Sequence, residues 1–313
     1  MSKLGLAFGG GGARGLAHIG VLKVLDAEGI EINSITGCSI GALVGGMYAY
    51  YGDAKKVEEF ILGIIKDPKF LELEIDKFNS QTKKTDKTYF EQFYDYIGIR
   101  VKALKSLRSL SYFDEFVTKE IYEIIPDVPI ENLKINFSSI ATDLISGEEI
   151  NFTKGSLREA IRASSAIPGI FPPVKLKDYL LVDGSASESV PVSKVREIGA
   201  DRIVAVDVTR SLKVVEHPQN IFEILFRTED ITSFHLSVVR LKEADLVIRP
   251  QLKQLNWADY DHATEIITAG ELAAKNNLNE IRKLISRNSY LLELDHFMKK
   301  MKRESFAEIN FSN

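Results

Sequence analysis

Two glycine-rich turns within the first 41 residues constrain the fold of this chain more than any other feature. The first, at residues 9–12, interrupts the apolar segment Leu4–Phe8, and the second, at residues 37–41, follows a short apolar segment at residues 35–37. Each turn leads directly into a segment whose apolar residues have helical spacing. Two consecutive strand–turn–helix units predict a parallel sheet with its turns at the carboxyl ends of the strands.

The rest of the chain continues this alternation. We expect further strands at residues 135–141, 179–182, 202–208 and 246–248, and helices at residues 156–164, 221–242 and 263–284. The segment from Arg202 to Val208 is almost continuously apolar, which is typical of parallel strands buried on both faces. We therefore expect an α/β fold of three layers, α/β/α, with a central, mostly parallel sheet, and we treat residues 1–313 as a single domain.

Two segments do not fit the alternation. Residues 66–88 are dense in charge, and residues 89–125 are helical in character and rich in aromatic side chains. We interpret residues 66–125 as an insertion that forms a lid or an apolar lining over an active site. Simple packing of these aromatic rings against the sheet explains the composition equally well. Residues 291–313 form a basic amphipathic stretch to which we assign no role.

Charge and cysteine content exclude several classes of protein. Forty Lys and Arg against 44 Asp and Glu leave a formal net charge of −4. This charge is too small to hold a polyanion, so we expect no nucleic-acid partner. The single cysteine, Cys38, excludes an internal disulfide and, with it, the small disulfide-rich secreted lipases. The sequence shows neither a long uncharged apolar run nor a recognisable export signal, so we expect a cytoplasmic protein that does not span a membrane.

The sequence Gly37-Cys38-Ser39-Ile40-Gly41 matches the G-x-S-x-G pattern of a nucleophile elbow. In such a turn the serine lies in a strained conformation between a strand and a helix, and the glycines remove side chains that would clash. The N-terminus of the following helix would favour negative charge on Ser39. An ordinary N-cap serine is the alternative, but the strand–turn–helix context favours Ser39 as a nucleophile.

The stretch Gly9-Gly10-Gly11-Gly12-Ala13-Arg14-Gly15 is the second chemical signal. Successive glycines let backbone N–H groups converge on one point, as the binding of an anion or an oxyanion requires. The same stretch matches G-x-G-x-x-G, so a dinucleotide-binding module is an alternative. That module needs an acidic residue at the end of the second strand, where this chain has the elbow instead.

A nucleophilic serine needs a base to accept its proton. The chain has five histidines, none of them within a partnering motif: His18, His217, His235, His262 and His296. Asp183 is a further candidate, because it follows the strand-like residues 179–182 and precedes Gly184. Its carboxylate is therefore expected at the carboxyl edge of the sheet, where ligands bind in open α/β sheets. A turn-forming aspartate explains the same pattern, and the residues alone do not separate the two interpretations.

These motifs together resemble those of the patatin-like phospholipases. The glycine loop at residues 10–15, the elbow at residues 37–41 and Asp183-Gly184 follow the order and spacing of that family. Residues 163–174 (ASSAIPGIFPPV) are similar to the segment that precedes the aspartate of the family. The resemblance covers residues 4–210. One departure is Ser185, because the family usually has Gly or Ala after Asp-Gly.

The resemblance implies a patatin-like fold and a Ser–Asp dyad without histidine. The implied site residues are Ser39 as nucleophile, Asp183 as general base, Gly10, Gly11 and Gly12 as oxyanion hole, Arg14 as support of that loop, and Gly37 and Gly41 as elbow glycines. The implied activity is hydrolysis of lipid acyl esters, of the phospholipase A, lysophospholipase or esterase type, with no metal and no cofactor. The implied partner is a phospholipid or another acyl ester, which allows a peripheral membrane contact. The oligomeric state is not predicted.

Two other functions stay open at this point. An α/β-hydrolase with a triad of Ser39, Asp183 and His262 fits the chain order, although that fold normally places several strands before its elbow. A nucleotide-binding module that uses the glycine loop is the second, and a cofactor-binding assay would separate it from an esterase. A catalytically silent scaffold would carry the same motifs.

Overall fold

Within the described residues, eight strands form one mixed sheet. The structure, a computed structural model, describes residues 2–73, 75, 113, 115–209, 212, 221–252 and 255–286. The strands are β1 Leu4–Phe8, β2 Ser34–Cys38, β3 Asn136–Asp143, β4 Glu149–Phe152, β5 Val174–Leu176, β6 Tyr179–Asp183, β7 Arg202–Val206 and β8 Leu246–Ile248. Their order along the sheet is β5-β6-β3-β2-β1-β7-β8, and β4 also pairs with β3.

The helices lie on both faces of this sheet. They are α1 Ala17–Ala27, α2 Ile40–Tyr51, α3 Ala54–Lys66, α4 Pro68–Leu71, α5 Glu115–Tyr122, α6 Leu157–Ser164, α7 Val192–Glu197, α8 Ile221–Arg240, α9 Ala263–Asn276 and α10 Leu278–Ser286. A 3₁₀ turn, Gly12–Leu16, precedes α1. Two helix layers with a central sheet confirm the expected α/β/α fold.

The middle of the sheet is parallel and buried on both faces. β1 pairs in parallel with β2 and with β7. Because side chains alternate along a strand, Leu6 and Phe8 of β1 enter the larger apolar core beneath α1, α2 and α9. Ala7 enters a smaller core with Val192 and Val195 of α7. This two-sided burial explains why β1 and β7 are continuous apolar runs.

The long strand β3 joins the parallel sheet to an antiparallel extension. Residues 136–140 of β3 pair in parallel with β2, and residues 141–143 pair antiparallel with β6. β4 pairs with residues 139–142, so it occupies the opposite side of β3. β2 and β6 therefore share one side of β3 and meet end to end. The last residues of these two strands, Cys38 and Asp183, are brought together by this arrangement.

Several sequence-based element boundaries need correction. The helix expected at residues 263–284 is two helices, because the Asn277 side chain bonds to the Ala273 carbonyl oxygen at 2.8 Å and replaces a backbone donor. The first glycine turn does not lead directly into a helix, because the 3₁₀ turn Gly12–Leu16 precedes α1, which begins at Ala17. Strands β4 and β5 were not expected; both are short and only partly buried, so they lack a strong apolar pattern.

The predicted insertion is described only in part. Helix α4 and helix α5 lie within residues 66–125, and residues 76–112 lie outside the described residues, as do residues 291–313. The single-domain interpretation of residues 1–313 stays a prediction. Across the described ranges, no helix combines the length and the apolar character needed to cross a bilayer.

Candidate active site

Ser39 lies in a strained turn between β2 and α2. Its backbone has φ 54° and ψ −124°, a conformation that residues other than glycine rarely adopt. The Ser39 carbonyl accepts the first bonds of α2, from the N–H groups of Ala42 and Leu43. The side chain makes no capping bond to that helix. This geometry disfavours the N-cap alternative and leaves the hydroxyl available for chemistry.

The glycines on either side of Ser39 allow α2 to begin directly against the sheet. A Cβ atom placed on Gly37 would lie 2.3 Å from the Gly41 carbonyl oxygen, and one placed on Gly41 would lie 2.4 Å from the Phe8 carbonyl oxygen. Neither position has room for a side chain. Gly37 and Gly41 are thus required by the close approach of β1, β2 and α2.

Asp183 ends β6, and the Ser39 hydroxyl lies close enough to lower the pKa of its carboxyl group. The aspartate is 1% exposed, and its Oδ1 accepts the Ser185 N–H at 2.9 Å. Burial raises the pKa of Asp183 above its ordinary value, and the nearby Ser39 hydroxyl and the Ser185 N–H offset part of this rise. The structure therefore brings the predicted nucleophile and the predicted base to the meeting point of β2 and β6.

Two further side chains hold this pair, and the sequence analysis did not assign either of them. The Cys38 thiol donates to Asp183 Oδ1 over a Sγ–Oδ1 distance of 3.7 Å. The buried Ser164 hydroxyl, at the end of α6, accepts the Ser39 N–H at 2.9 Å. Ser164 lies in the segment that resembles the family, which is the only sequence signal for it. Cys38 had no signal apart from its place in the elbow.

The glycine loop lies beside Ser39. A Cβ atom placed on Gly10 would lie 3.4 Å from the Ser39 Cβ atom. The Gly10 N–H, however, donates to the Ser189 carbonyl oxygen at 2.9 Å, so this amide is already engaged. The N–H groups of Gly11 and Gly12 have no acceptor in the part of the chain that the structure describes. The Gly11 and Gly12 N–H groups therefore stay candidate oxyanion donors, whereas Gly10 allows the loop to approach Ser39 closely.

Gly12 fits tightly against the loop that precedes α9. Its φ is +56°, and an added Cβ atom would lie 2.3 Å from the Trp257 carbonyl oxygen. The same oxygen accepts the Ala13 N–H at 2.7 Å. Arg14 is buried in the same 3₁₀ turn. The glycine loop is thus held from behind by the Trp257 backbone.

The described histidines do not bond to Ser39 or Asp183. His18 is fully buried, stacks on Phe8, and bonds to the Gly9 carbonyl oxygen through Nε2 at 2.8 Å. Burial lowers the pKa of His18 to about 4, so the ring is neutral near pH 7 and donates this bond. His262, the member of the alternative triad, is half exposed and pairs with Glu265. His235 is exposed on α8, and His217 and His296 lie outside the described residues.

Two acidic side chains, Glu188 and Glu149, act electrostatically on Cys38 of the elbow. Glu188 is 1% exposed and lies next to the carboxyl group of Glu149. Burial and the adjacent Glu149 raise the pKa of Glu188 to about 8, and the Arg240 guanidinium, 3.7 Å away, offsets part of this rise. Glu188 therefore keeps its proton at neutral pH. No sequence pattern indicated it.

Comparison with known proteins agrees with this geometry. The profile of the family described as Patatin-like phospholipase matches residues 6–195, more than half of the chain. An uncharacterised NTE family protein of Mycobacterium tuberculosis is 34% identical over 209 residues, which are 67% of this chain and 50% of that protein. A lysophospholipase of Neurospora crassa is 31% identical over 208 residues, which are 66% of this chain and 12% of that protein.

Among solved structures, human GIVD cytosolic phospholipase A2 superposes with a TM-score of 0.49 at 11% identity, covering 94% of this chain and 60% of that one. The chain spans about half the length of the mycobacterial relative and a smaller part of the fungal one. A profile match that includes the glycine loop, the elbow and Asp183 leaves one assignment: this chain belongs to the patatin-like phospholipase family.

Proposed function

We propose that this protein hydrolyses acyl esters of lipids through a Ser39–Asp183 dyad. The observation that carries the proposal is the position of Ser39: it lies in a strained elbow, directly after Cys38, whose thiol contacts the buried Asp183 carboxylate. Membership of the patatin-like phospholipase family supports the same chemistry. The relatives are longer than this chain, so we use their names only to choose the test substrates.

In the proposed reaction the Ser39 Oγ atom attacks the acyl carbonyl carbon while its proton passes to the Asp183 carboxylate. The N–H groups of Gly11 and Gly12 stabilise the oxyanion of the tetrahedral intermediate. Collapse of the intermediate releases the alcohol, which takes the proton from Asp183. Water then attacks the acyl-enzyme by the same steps, with Asp183 again accepting the proton.

A carboxylate is a weaker base than the histidine of a triad, and two features of the site compensate for this weakness. An exposed carboxylate is a weak base, with a pKa of about 3.9. Burial raises the pKa of Asp183 and so increases its proton affinity. Each oxyanion donor contributes about 2.7–4 kcal/mol to stabilisation of the transition state. Esters, with their good leaving groups, suit such a site better than amides do.

An apolar cluster beside the glycine loop supports a lipid substrate. Trp257, whose backbone holds that loop, packs with Phe171, Phe113 and Leu73. Phe113 and Phe171 stack with ring centroids 5.4 Å apart. Phe113 and Leu73 belong to the predicted insertion, so we propose that the insertion contributes to the acyl-chain site through this cluster.

We also propose that the protein is cytoplasmic and meets its substrate at a membrane surface.

The decisive experiment is hydrolysis of p-nitrophenyl butyrate and of lysophosphatidylcholine by Ser39→Ala and Asp183→Asn. Both variants should lose at least about 10³-fold in kcat while they keep the wild-type thermal unfolding midpoint. Asparagine keeps the shape of aspartate but cannot accept the proton. Near-wild-type turnover by either folded variant would remove that residue from the mechanism.

The histidines provide the matched control. Each of the five, replaced in turn by glutamine, should leave substantial activity, because none has a role in the dyad. Loss of activity in folded His262→Gln would instead support the triad with His262, and loss in another folded histidine variant would contradict the dyad. If only His18→Gln lost activity and its thermal unfolding midpoint also fell, the cause would be the lost hydrogen bond between His18 and the Gly9 carbonyl oxygen.

A further inference from the structure

The most exposed apolar side chains of the antiparallel extension lie together on two neighbouring turns. Ile145 is 70% exposed, Leu144 is 54% exposed, and Tyr179 is 40% exposed. Leu144 and Ile145 follow β3, and Tyr179 begins β6 after the β5–β6 turn. Turn positions are usually polar, so apolar residues exposed there need an explanation. We refer to these three residues as the hairpin tip.

The strand register places the hairpin tip beyond the candidate active site. Cys38, the last residue of β2, pairs with Ile140 of β3, and β3 continues to Asp143. At about 3.3 Å per residue, these three additional residues carry the chain about 10 Å past the end of β2. The hairpin tip therefore projects from the same edge of the sheet that carries Ser39.

The hairpin tip is held in place by hydrogen bonds. Asp143 Oδ2 accepts the Ser146 N–H at 3.0 Å and the Ser146 hydroxyl at 2.8 Å, which closes the first turn. Asp143 Oδ1 accepts the Leu180 N–H at 2.9 Å, and the Leu144 N–H donates to the Leu180 carbonyl oxygen at 2.8 Å. The two turns are thus fixed to each other. The side chains of Leu144 and Ile145 are held at the surface, where they bury little area against the rest of the protein.

The size and charge of this surface indicate what it contacts. Its exposed neighbours are two lysines and two acidic residues, whose charges cancel: Lys175, Lys177, Glu148 and Asp178. A stable protein interface needs about 800 Å² from each partner, far more than three side chains on two turns offer. A projecting apolar tip with balanced charge instead suits the interfacial region of a lipid bilayer, into which single side chains can insert.

We propose that the hairpin tip inserts into the surface of a phospholipid bilayer and holds the Ser39 edge of the sheet against it. This inference rests on the proposed function, because it names the surface through which the enzyme reaches its substrate. Binding should depend on apolar insertion rather than on anionic headgroups, since the neighbouring charges cancel.

The test is sedimentation of the full chain with phosphatidylcholine vesicles, performed on Ser39→Ala so that binding is independent of hydrolysis. Adding Leu144→Ser and Ile145→Ser should weaken partitioning on the order of 10–100-fold, as expected for the loss of two inserted apolar side chains. Leu272→Ser is the matched control, because Leu272 is 58% exposed on α9, in a helix layer that packs on α1. It should leave partitioning unchanged.

A fluorescent label locates the contact. In Ile145→Cys, a thiol-reactive, environment-sensitive dye will label residue 145, because Cys38 is fully buried. Its emission should shift to the blue when vesicles are added. A blue shift without vesicles would show that another segment of the chain covers the tip, and one that depends on protein concentration would show a second copy. Either result overturns the proposal, as would binding that depends on phosphatidylserine and is insensitive to the two serine substitutions.

The two proposals fail in different ways. In the wild-type background, hydrolysis of monomeric p-nitrophenyl butyrate should be unaffected by Leu144→Ser and Ile145→Ser, whereas hydrolysis of vesicle phospholipid should fall with partitioning. Vesicle binding without any ester hydrolysis would refute the proposed function alone. If the double variant hydrolysed vesicle phospholipid as fast as the wild type, only the proposed insertion of the hairpin tip would be refuted.

Discussion

The Cys38 thiol and the Asp183 carboxylate are in contact because both residues are paired to adjacent positions of one strand. Cys38 pairs in parallel with Ile140, and Asp183 pairs antiparallel with Ala141. The Sγ–Oδ1 distance is 3.7 Å. Burial, together with the negative charge of Asp183, raises the pKa of Cys38 well above its ordinary value, so the thiol keeps its proton and donates it. The elbow thus contains the nucleophile, Ser39, and also the thiol that donates a hydrogen bond to the base, Asp183.

We predict that Cys38→Ala shifts the pH profile of kcat/KM. The thiol stabilises the charged form of Asp183, so its loss raises the pKa of this carboxyl group further. Asp183 must be ionised to accept a proton. The acidic limb should therefore move to higher pH by on the order of 0.5 units. Cys38→Ser keeps a donor and should not show this upward shift; equal shifts in both variants would indicate a packing effect instead.

Ser164→Ala should impair turnover through the backbone of Ser39. The substitution removes the acceptor of the Ser39 N–H, and an unsatisfied buried donor costs about 1–3 kcal/mol of folding stability. Because that donor belongs to the elbow, we expect kcat to fall about tenfold with little change in KM. Ser139→Ala is the control: Ser139 is equally buried but bonds to the Ala160 carbonyl oxygen. It should affect stability alone, and equal kinetic losses in both variants would contradict the prediction.

Gly12→Ala should lower kcat more than it changes KM. A Cβ atom at Gly12 would meet the Trp257 carbonyl oxygen at 2.3 Å, so the loop and its oxyanion donor must move. A loss of 10–100-fold in kcat corresponds to weakened stabilisation of the developing charge. Gly29→Ala is the control, because it introduces similar backbone strain without a clash and away from the glycine loop. Gly29 has a similar φ, +63°, but open space around it, so only stability should fall, by about 1 kcal/mol. A change in KM alone for Gly12→Ala would assign the loop to substrate binding.

Glu188→Gln should stabilise the protein at alkaline pH. The pKa of Glu188 is raised to about 8 in the folded state, whereas the unfolded chain ionises near 4.3. Folding stability is therefore lost as pH rises from the lower value through the higher one. Glutamine needs no proton, so urea unfolding at pH 9 should give a gain of about 1–3 kcal/mol over wild type, which shrinks as pH falls to about 5. The exposed Glu197→Gln should show no such dependence, and a constant difference across this range would contradict a protonated Glu188 in the folded state.

The local part of the fold could be predicted from the sequence. Glycines at Gly37 and Gly41 and apolar runs in β1 and β7 are signals contained within a few residues, and they identified the elbow and the parallel core. The glycine loop was also visible as a run of residues. The engagement of the Gly10 amide was not, because its acceptor, Ser189, is distant in sequence.

The pairing of β3 with two partners on one side could not be predicted. β4 and β5 have four and three residues and are only partly buried, so their patterns resemble loops. A serine at the end of a helix, such as Ser164, normally indicates only a helix boundary. The raised pKa of Glu188 depends on its burial and on the proximity of Glu149 from another strand, which a linear pattern cannot record.

The double pairing of β3 also affects how the protein folds. The dyad needs β2, β3 and β6 in register, and 145 positions separate Cys38 from Asp183 along the chain. Closing loops of this length costs conformational entropy before any contact repays it, so such pairings form slowly. The helical contacts within residues 17–66 are local and form early by comparison. During refolding, far-ultraviolet circular dichroism should therefore recover before esterase activity, and the return of activity reports the completion of the sheet.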